Sequence, residues 1–243
     1  MSCPIEKFFE KYCKVMNDYS DLLNYYKACF NFIDCFHFNS ETARDVYLEN
    51  IDYPNGTVIP ITHLGINDNR RKKIFDTNIL RIGFIGNDTP YKGLPLLLNV
   101  LKQMSNTSSW RLDVWGGRTG KDMDCQVYYR GKFDSISARN VYDNMDVLVV
   151  PSIWKETFGF VVLEALSYGV PVIVSDNVGA KDVVRQYNER FIFTSESELS
   201  VLLNNIIKDR SLLVNFNEKI LNLEWKYSME DHAKDIIKLY ESI

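Results

Sequence analysis

The stretch Pro151 to Ser175, PSIWKETFGFVVLEALSYGVPVIVS, decides the fold. Before it, Asp146 to Val150 is an apolar run of strand length that stops at Pro151-Ser152. A short loop from Trp154 to Gly159 follows, and then Phe160 to Tyr168 reads as a short helix. Gly169 closes that helix, because glycine accepts the left-handed conformation a helix end requires. Val170 to Val174 is the next buried strand. Strand, loop, helix and strand in so few residues make a crossover unit of a parallel sheet. Ligands of such sheets lie beyond the carboxyl ends of the strands, and the 151–159 loop is at that end.

Two carboxylates frame the loop: Glu156 before the helix and Glu164 within it, seven residues between them. Glu164 sits in VVLEAL, which otherwise reads as buried, so its charge needs a partner. A neighbouring cation would satisfy it, and so would a hydroxyl-rich ligand. The helix start offers free N–H groups around Phe158, Gly159 and Phe160, which together with the helix dipole favour a phosphate. A diphosphate bearing hydroxylated rings would satisfy both features.

Outward from this centre, Leu80 opens a run of alternating strands and helices. Arg81 to Ile85 is a strand, Leu94 to Met104 an amphipathic helix, and Trp110 to Trp115 and Val127 to Tyr129 are further strands. Ser137 to Asn144 reads as a helix, as do Ala180 to Gln186, Glu196 to Lys208 and Ser211 to Leu223, with a strand at Phe191 to Phe193. Tyr227 to Ile243 is the final helix, with Ser228 as its cap. This alternation predicts an α/β, Rossmann-like doubly wound parallel sheet. Upstream, Ile5 to Phe30 has helical periodicity. Phe32 to Phe38 reads as a strand, Glu41 to Glu49 as a helix capped at Asn39-Ser40, Tyr53 to Gly56 as a turn, and Thr57 to Ile61 as a strand. Residues 66–78, INDNRRKKIFDTN, have a linker's composition. Their paired cations are expected to be solvated, or else to contact an anionic acceptor or lipid surface.

Composition bounds the function. The chain has 243 residues, 46% hydrophobic and 25% charged, with net charge −4 and pI about 5.5. No global basic field draws it to nucleic acid. No apolar stretch is long enough to span a bilayer. The start, MSCPIEKFFEKYCK, lacks a signal peptide's apolar core, so a cytoplasmic location is expected. Five cysteines, Cys3, Cys13, Cys29, Cys35 and Cys125, form no CxxC pair and read as free thiols.

The strand at Arg81 ends in G-N-D-T-P-Y-K-G, where Gly86 and Gly93 permit close approach and Lys92 supplies a cation. Taken in order, GFIGNDTPYKG, LDVWGG, YYRGKFD, YDNMDVLVVPS and ETFGFVVLEALSYGVPVIVSDNVGAKDVV resemble the retaining nucleotide-sugar glycosyltransferases of the GT-B fold, group 1 (family 4) type, from about residue 81 to 184. The resemblance implies roles. Glu164 would bind the ribose hydroxyls, Glu156 would face the donor sugar, and Thr157, Phe158, Gly159 and Phe160 would contact sugar and phosphates through their backbone. Lys92, beside Gly86 and Asn87, would hold the diphosphate and stabilise the leaving group. It also implies residues 1–65 as the tail of an acceptor-side domain, 66–78 as linker, 79–225 as the donor-binding domain and 226–243 as a helix crossing back. No cofactor is implied, because the nucleotide-sugar is a substrate. No metal is implied either, since Asp122-Met123-Asp124 lies away from the matched segments. The implied acceptor is a glycan or a lipid-linked one, with at most peripheral membrane association.

Two departures stand out. Asn87 occupies the place where the family usually has an arginine; Arg118 is a candidate replacement. The family's acceptor-side glycine loop and its histidine have no counterpart among these residues, so a non-catalytic nucleotide-sugar-binding module that needs a separate acceptor domain is the alternative. His37, His63 and His232 do not match that histidine. His63 stands at the junction and reads as a surface residue.

Overall fold

The computed structural model describes residues 19–30, 32–49, 56–75, 78–87, 89–104, 109–122 and 126–243. The centre of the fold is a seven-stranded sheet built from β3 (Leu80–Ile85), β4 (Trp110–Trp115), β5 (Thr119–Asp122), β6 (Val127–Gly131), β7 (Val147–Val150), β8 (Val172–Ser175) and β9 (Ile192–Phe193). Its order is β5-β6-β4-β3-β7-β8-β9. All pairings are parallel except β5 with β6. β7 and β8 are buried at every position, as strands covered on both faces must be. From β3 the chain winds outward through β4 and β6, then returns to β7 and winds the other way. The winding therefore reverses between β3 and β7, the place where ligands of such sheets bind.

Helices α3 (Leu94–Gln103), α4 (Ala138–Asp143), α5 (Phe160–Ser167), α6 (Lys181–Asn188), α7 (Glu196–Lys208) and α8 (Ser211–Asn222) accompany the sheet. α3 shows why these segments are helical: Leu94, Leu97, Val100 and Leu101 recur every three or four residues and are all buried. One hydrophobic core runs from Ile66 to Tyr227.

Upstream lie α1 (Tyr19–Phe30), β1 (Phe36–Phe38), α2 (Glu41–Leu48) and β2 (Gly56–Val58), with β1 and β2 paired in parallel. The two strands are shorter than the sequence suggests. Residues 5–18 of the expected first helix, the turn at 53–55, Asp88, the 123–125 segment, and Cys3, Cys13 and Cys125 lie outside the described residues. Ser40 caps α2 by accepting from the Ala43 N–H. The last helix, α9 (Met229–Glu241), starts in a Ser228–Asp231 capping box. It touches the upstream segment through His232, whose Nδ1 is 3.0 Å from the Pro60 carbonyl oxygen. None of the described helices is long and apolar enough to cross a membrane.

The solvated reading of the 66–78 cations holds for Arg71 and Lys72, which are exposed, and is corrected for Arg70 and Lys73. Ile66 and Phe75 are buried, and the Asn69 N–H donates to the Ser167 carbonyl at 2.8 Å. The Arg70 guanidinium donates to the carbonyls of Ile220 and Leu223 and lies over the Trp225 ring. Lys73 Nζ donates to the Tyr142 carbonyl at 2.9 Å and the Asp143 carbonyl at 3.3 Å. The stretch is a strap, and two of its cations satisfy carbonyls at helix ends, where the helix dipole favours positive charge. Burial lowers the Lys73 ammonium to about 8.

Two predictions follow from this packing. Unfolded Lys73 binds a proton up to its ordinary value of 10.5, whereas the folded residue releases it above about 8. The unfolded state therefore holds more protons in that window, and this residue makes stability rise with pH, by at most about 1.4 kcal/mol per pH unit. Denaturant unfolding at pH 8 and pH 9.5 should show this slope in the wild type and lose it in Lys73→Met; equal slopes would refute the assignment. Gly93 has φ +80°, and a methyl group there would stand 1.7 Å from the Pro151 carbonyl oxygen. Gly93→Ala should cost at least about 2 kcal/mol of unfolding free energy, against less than about 1 kcal/mol for Gly86→Ala.

Candidate functional site

Two loops meet where the winding reverses. The loop after β3 ends in a short 3-10 turn, Pro90–Lys92, and then Gly93. The loop after β7 runs from Pro151 to Gly159 and leads into α5. They are joined at one carbonyl: Tyr91 O accepts from the Ile153 N–H at 3.0 Å and from the Ser152 hydroxyl at 3.1 Å. The left-handed Gly93 then brings the start of α3 against Pro151.

The second loop is held from behind. Glu156 N–H donates to the Asn177 carbonyl, and the Glu156 carbonyl accepts from the Gly179 N–H. The Phe158 carbonyl accepts from the Ala180 N–H at 2.7 Å, and the Thr157 carbonyl from the Ser40 hydroxyl at 2.5 Å. Three successive carbonyls are thus tied into the protein. Gly159 (φ 102°, ψ 72°) turns the chain into α5, whose first N–H groups, on Phe160 and Val161, have no intrahelical partner. Phe158 is buried, and Phe160 is partly exposed at the helix start.

Between the loops is an open cleft of about 340 Å³, whose walls include Tyr91, Lys92, Trp154, Glu156, Thr157 and Gly159. Lys92 Nζ stands 2.9 Å from Glu156 Oε1. The two residues expected to act on the ligand therefore hold each other in the free protein. Around the rim, Tyr91 and Trp154 are exposed, with ring centroids 6.3 Å apart.

Glu164 lies one turn into α5 on the side of Phe160. It is not turned into the core, since its side chain is 31% exposed. Tyr142 OH donates to Oε2 at 2.9 Å, and His63 Nε2 lies 3.1 Å from Oε1. Burial, and then the charge of Glu164, push the Tyr142 phenol well above its usual value, so it stays a protonated donor. His63 is, as read, a surface histidine, its side chain 41% exposed, but it is satisfied at the site: its ring meets Phe160 edge-on at 5.1 Å and reaches the Glu164 carboxylate.

The remaining expected residues divide. Gly86 donates its N–H to the Trp115 carbonyl, and a methyl group on it would meet the Phe84 ring at 3.4 Å and Lys92 Cγ at 3.9 Å, both ordinary contacts. Within the protein the close approach therefore belongs to Gly93. Asn87 is exposed, and its Oδ1 accepts from the Thr89 hydroxyl at 2.7 Å. Arg118 lies 4.1 Å over the Tyr129 ring. His37 and His232 are bound to the carbonyls of Ile59 and Pro60, not to a cleft residue. Sequence reasoning missed Tyr142 and Ser40. Ser40 reads only as a helix cap and Tyr142 only as part of the YDNMDVLVVPS segment, and neither contact is local in sequence.

Comparison with known proteins bears on the whole arrangement. The chain is similar to an uncharacterized glycosyltransferase, MJ1607, of Methanocaldococcus jannaschii, with 24% identity over 173 residues, covering 65% of this chain and 44% of that protein. It is similar to the glycogen synthase of Alkaliphilus metalliredigens, with 28% identity over 191 residues, covering 69% of this chain and 39% of that one. The chain thus spans less than half the length of these relatives. Among solved structures, Anabaena Alr3699/HepE in complex with UDP superposes with a TM-score of 0.75 at 17% identity, over 93% of this chain and 69% of that one. This likeness shows a shared GT-B-type fold. The sequence model of glycosyl transferases group 1 matches residues 65–222, more than half of the chain and including both loops and α5. The chain therefore belongs to the group 1 glycosyl transferases.

Proposed function

We propose that the cleft between Lys92 and Gly159 is the donor site of a glycosyltransferase that moves a sugar from a nucleoside diphosphate-sugar to a hydroxyl acceptor. The observation that carries this reading is the convergence of one cation, two carboxylates and a helix N-terminus at the reversal of the sheet. Each has a part to play. The diphosphate takes the free N–H groups of α5 and the Lys92 ammonium, a charge-assisted contact in a partly dry cleft. Lys92 then leaves Glu156, whose freed carboxylate accepts from the sugar hydroxyls. Glu164 accepts from the ribose diol.

In the reaction the bond from the anomeric carbon to the diphosphate oxygen breaks, a bond to the acceptor oxygen forms, and the acceptor's hydroxyl proton passes to the departing diphosphate. Negative charge grows on the departing diphosphate, where Lys92 and the fixed amides stabilise it without reorganising. The reading calls on no metal and no cofactor. Retention of configuration is part of the proposal and is supported by the family resemblance alone. So is the acceptor class, a glycan or lipid-linked hydroxyl, and so is a donor-binding role for this region. The named relatives agree with this class: the HepE structure holds UDP, and a glycogen synthase is among the similar proteins.

Calorimetric titration with UDP and GDP tests the reading. One of them should bind, and Lys92→Ala should weaken that binding by about tenfold to a hundredfold through loss of a charge-assisted contact. Failure of the folded protein to bind either nucleotide would overturn it. Glu156→Gln should bind the nucleotide at least as tightly as the wild type, because it frees Lys92 for the diphosphate, while donor turnover falls by about a hundredfold or more. Unchanged turnover would remove Glu156 from the reaction.

A further inference from the structure

Glu164 carries the most exacting geometric demand in this reading. Two vicinal hydroxyls must meet both oxygens of one carboxylate, yet the terminal torsion of a glutamate is broad and soft. Here it is held by one donor on each oxygen: Tyr142 OH on Oε2 at 2.9 Å and His63 Nε2 beside Oε1 at 3.1 Å. The imidazole is itself fixed from its other side, because the Gly65 N–H donates to His63 Nδ1 at 3.0 Å. Nδ1 is therefore the acceptor, and Nε2 carries the hydrogen that points at Glu164. The edge-on contact with Phe160, one turn before Glu164 on the same helix face, fixes the plane of the ring. Each carboxylate oxygen accepts in two directions. One protein donor per oxygen leaves one accepting direction open on each.

We propose that His63 is a positioning residue for nucleotide recognition, working with Tyr142 to hold the Glu164 carboxylate so that its two open lone pairs face a ribose 2′,3′-diol. The inference rests on the reading of Glu164 as the ribose ligand. His63 lies outside the E-x7-E segment, 101 residues before Glu164, on the stretch that leads from β2 to the strap. The upstream segment thus contributes a side chain to a site otherwise built by the sheet and its loops.

The test is calorimetry on the 243-residue chain with UDP and GDP and with their 2′,3′-dideoxy forms. In the wild type the ribose form of the bound nucleotide should be favoured. His63→Ala should weaken the ribose form by about tenfold, the loss of one hydrogen bond that orients a charged group, and leave the dideoxy form within about twofold. His63→Gln, which restores a donor near the Nε2 position, should recover most of the preference. His63→Asn, which reaches only the Gly65 N–H, should not. Tyr142→Phe should reduce the preference as His63→Ala does. A ribose-to-dideoxy ratio in His63→Ala equal to the wild-type ratio, or equal losses for both forms, would overturn the role of His63. Glu164→Gln measured in parallel separates the two ideas. If it leaves the ratio intact, Glu164 is not the ribose ligand and both fall; if it collapses the ratio while His63→Ala does not, only the role of His63 falls.

Discussion

Gly93 resting on the Pro151 carbonyl is the constraint on which the site depends. A parallel sheet that reverses its winding between β3 and β7 leaves a crevice there, but a crevice alone sets no chemistry. The contact closes the two loops to a fixed separation, and two hydrogen bonds to the Tyr91 carbonyl lock it. Only a residue without a side chain in the left-handed conformation permits that approach. Lys92 and Glu156, 64 residues apart in sequence, become neighbours as a direct result.

The two opposite charges in the cleft are paired with each other. Lys92 and Glu156 satisfy each other in the free protein, so neither stands half-buried without a counter-charge. The diphosphate of the proposed donor would compete for the same ammonium and would also meet the amides at the start of α5. The loop behind those amides is held rigidly, since the carbonyls of Glu156, Thr157 and Phe158 are each bound to the body of the protein. In the proposed reading, the fixed amides would place the phosphates and Lys92 would answer the charge that develops on them.

The sheet and the helices that cover it were legible because their signals are local. The apolar runs at Val147–Val150 and Val172–Ser175 are buried at every position, and Ser40 and Ser228 cap the helices they were expected to cap. The glutamate pair and its loop were legible for the same reason. What the chain concealed is non-local. Thr119–Asp122 is a strand only because β6 pairs with it antiparallel; its own residues carry no alternation. The 66–75 strap looks like a solvated linker because the tertiary hydrogen-bond partners of its Arg70 and Lys73 side chains are backbone carbonyls, which leave no mark on the sequence, while the Arg70–Asp68 pair is local. His63 reaches Glu164 across 101 residues, and no spacing rule announces such a contact.

The central claim is that the Gly93–Pro151 junction holds a nucleoside diphosphate-sugar, with its diphosphate between Lys92 and the start of α5. A crystal structure of the chain with bound UDP- or GDP-sugar tests this most directly. The account predicts the Lys92 ammonium on the diphosphate, parted from Glu156, and the ribose diol on Glu164. A nucleotide seated elsewhere on the sheet, or one bound in the cleft with the 2.9 Å Lys92–Glu156 pair intact, would contradict it.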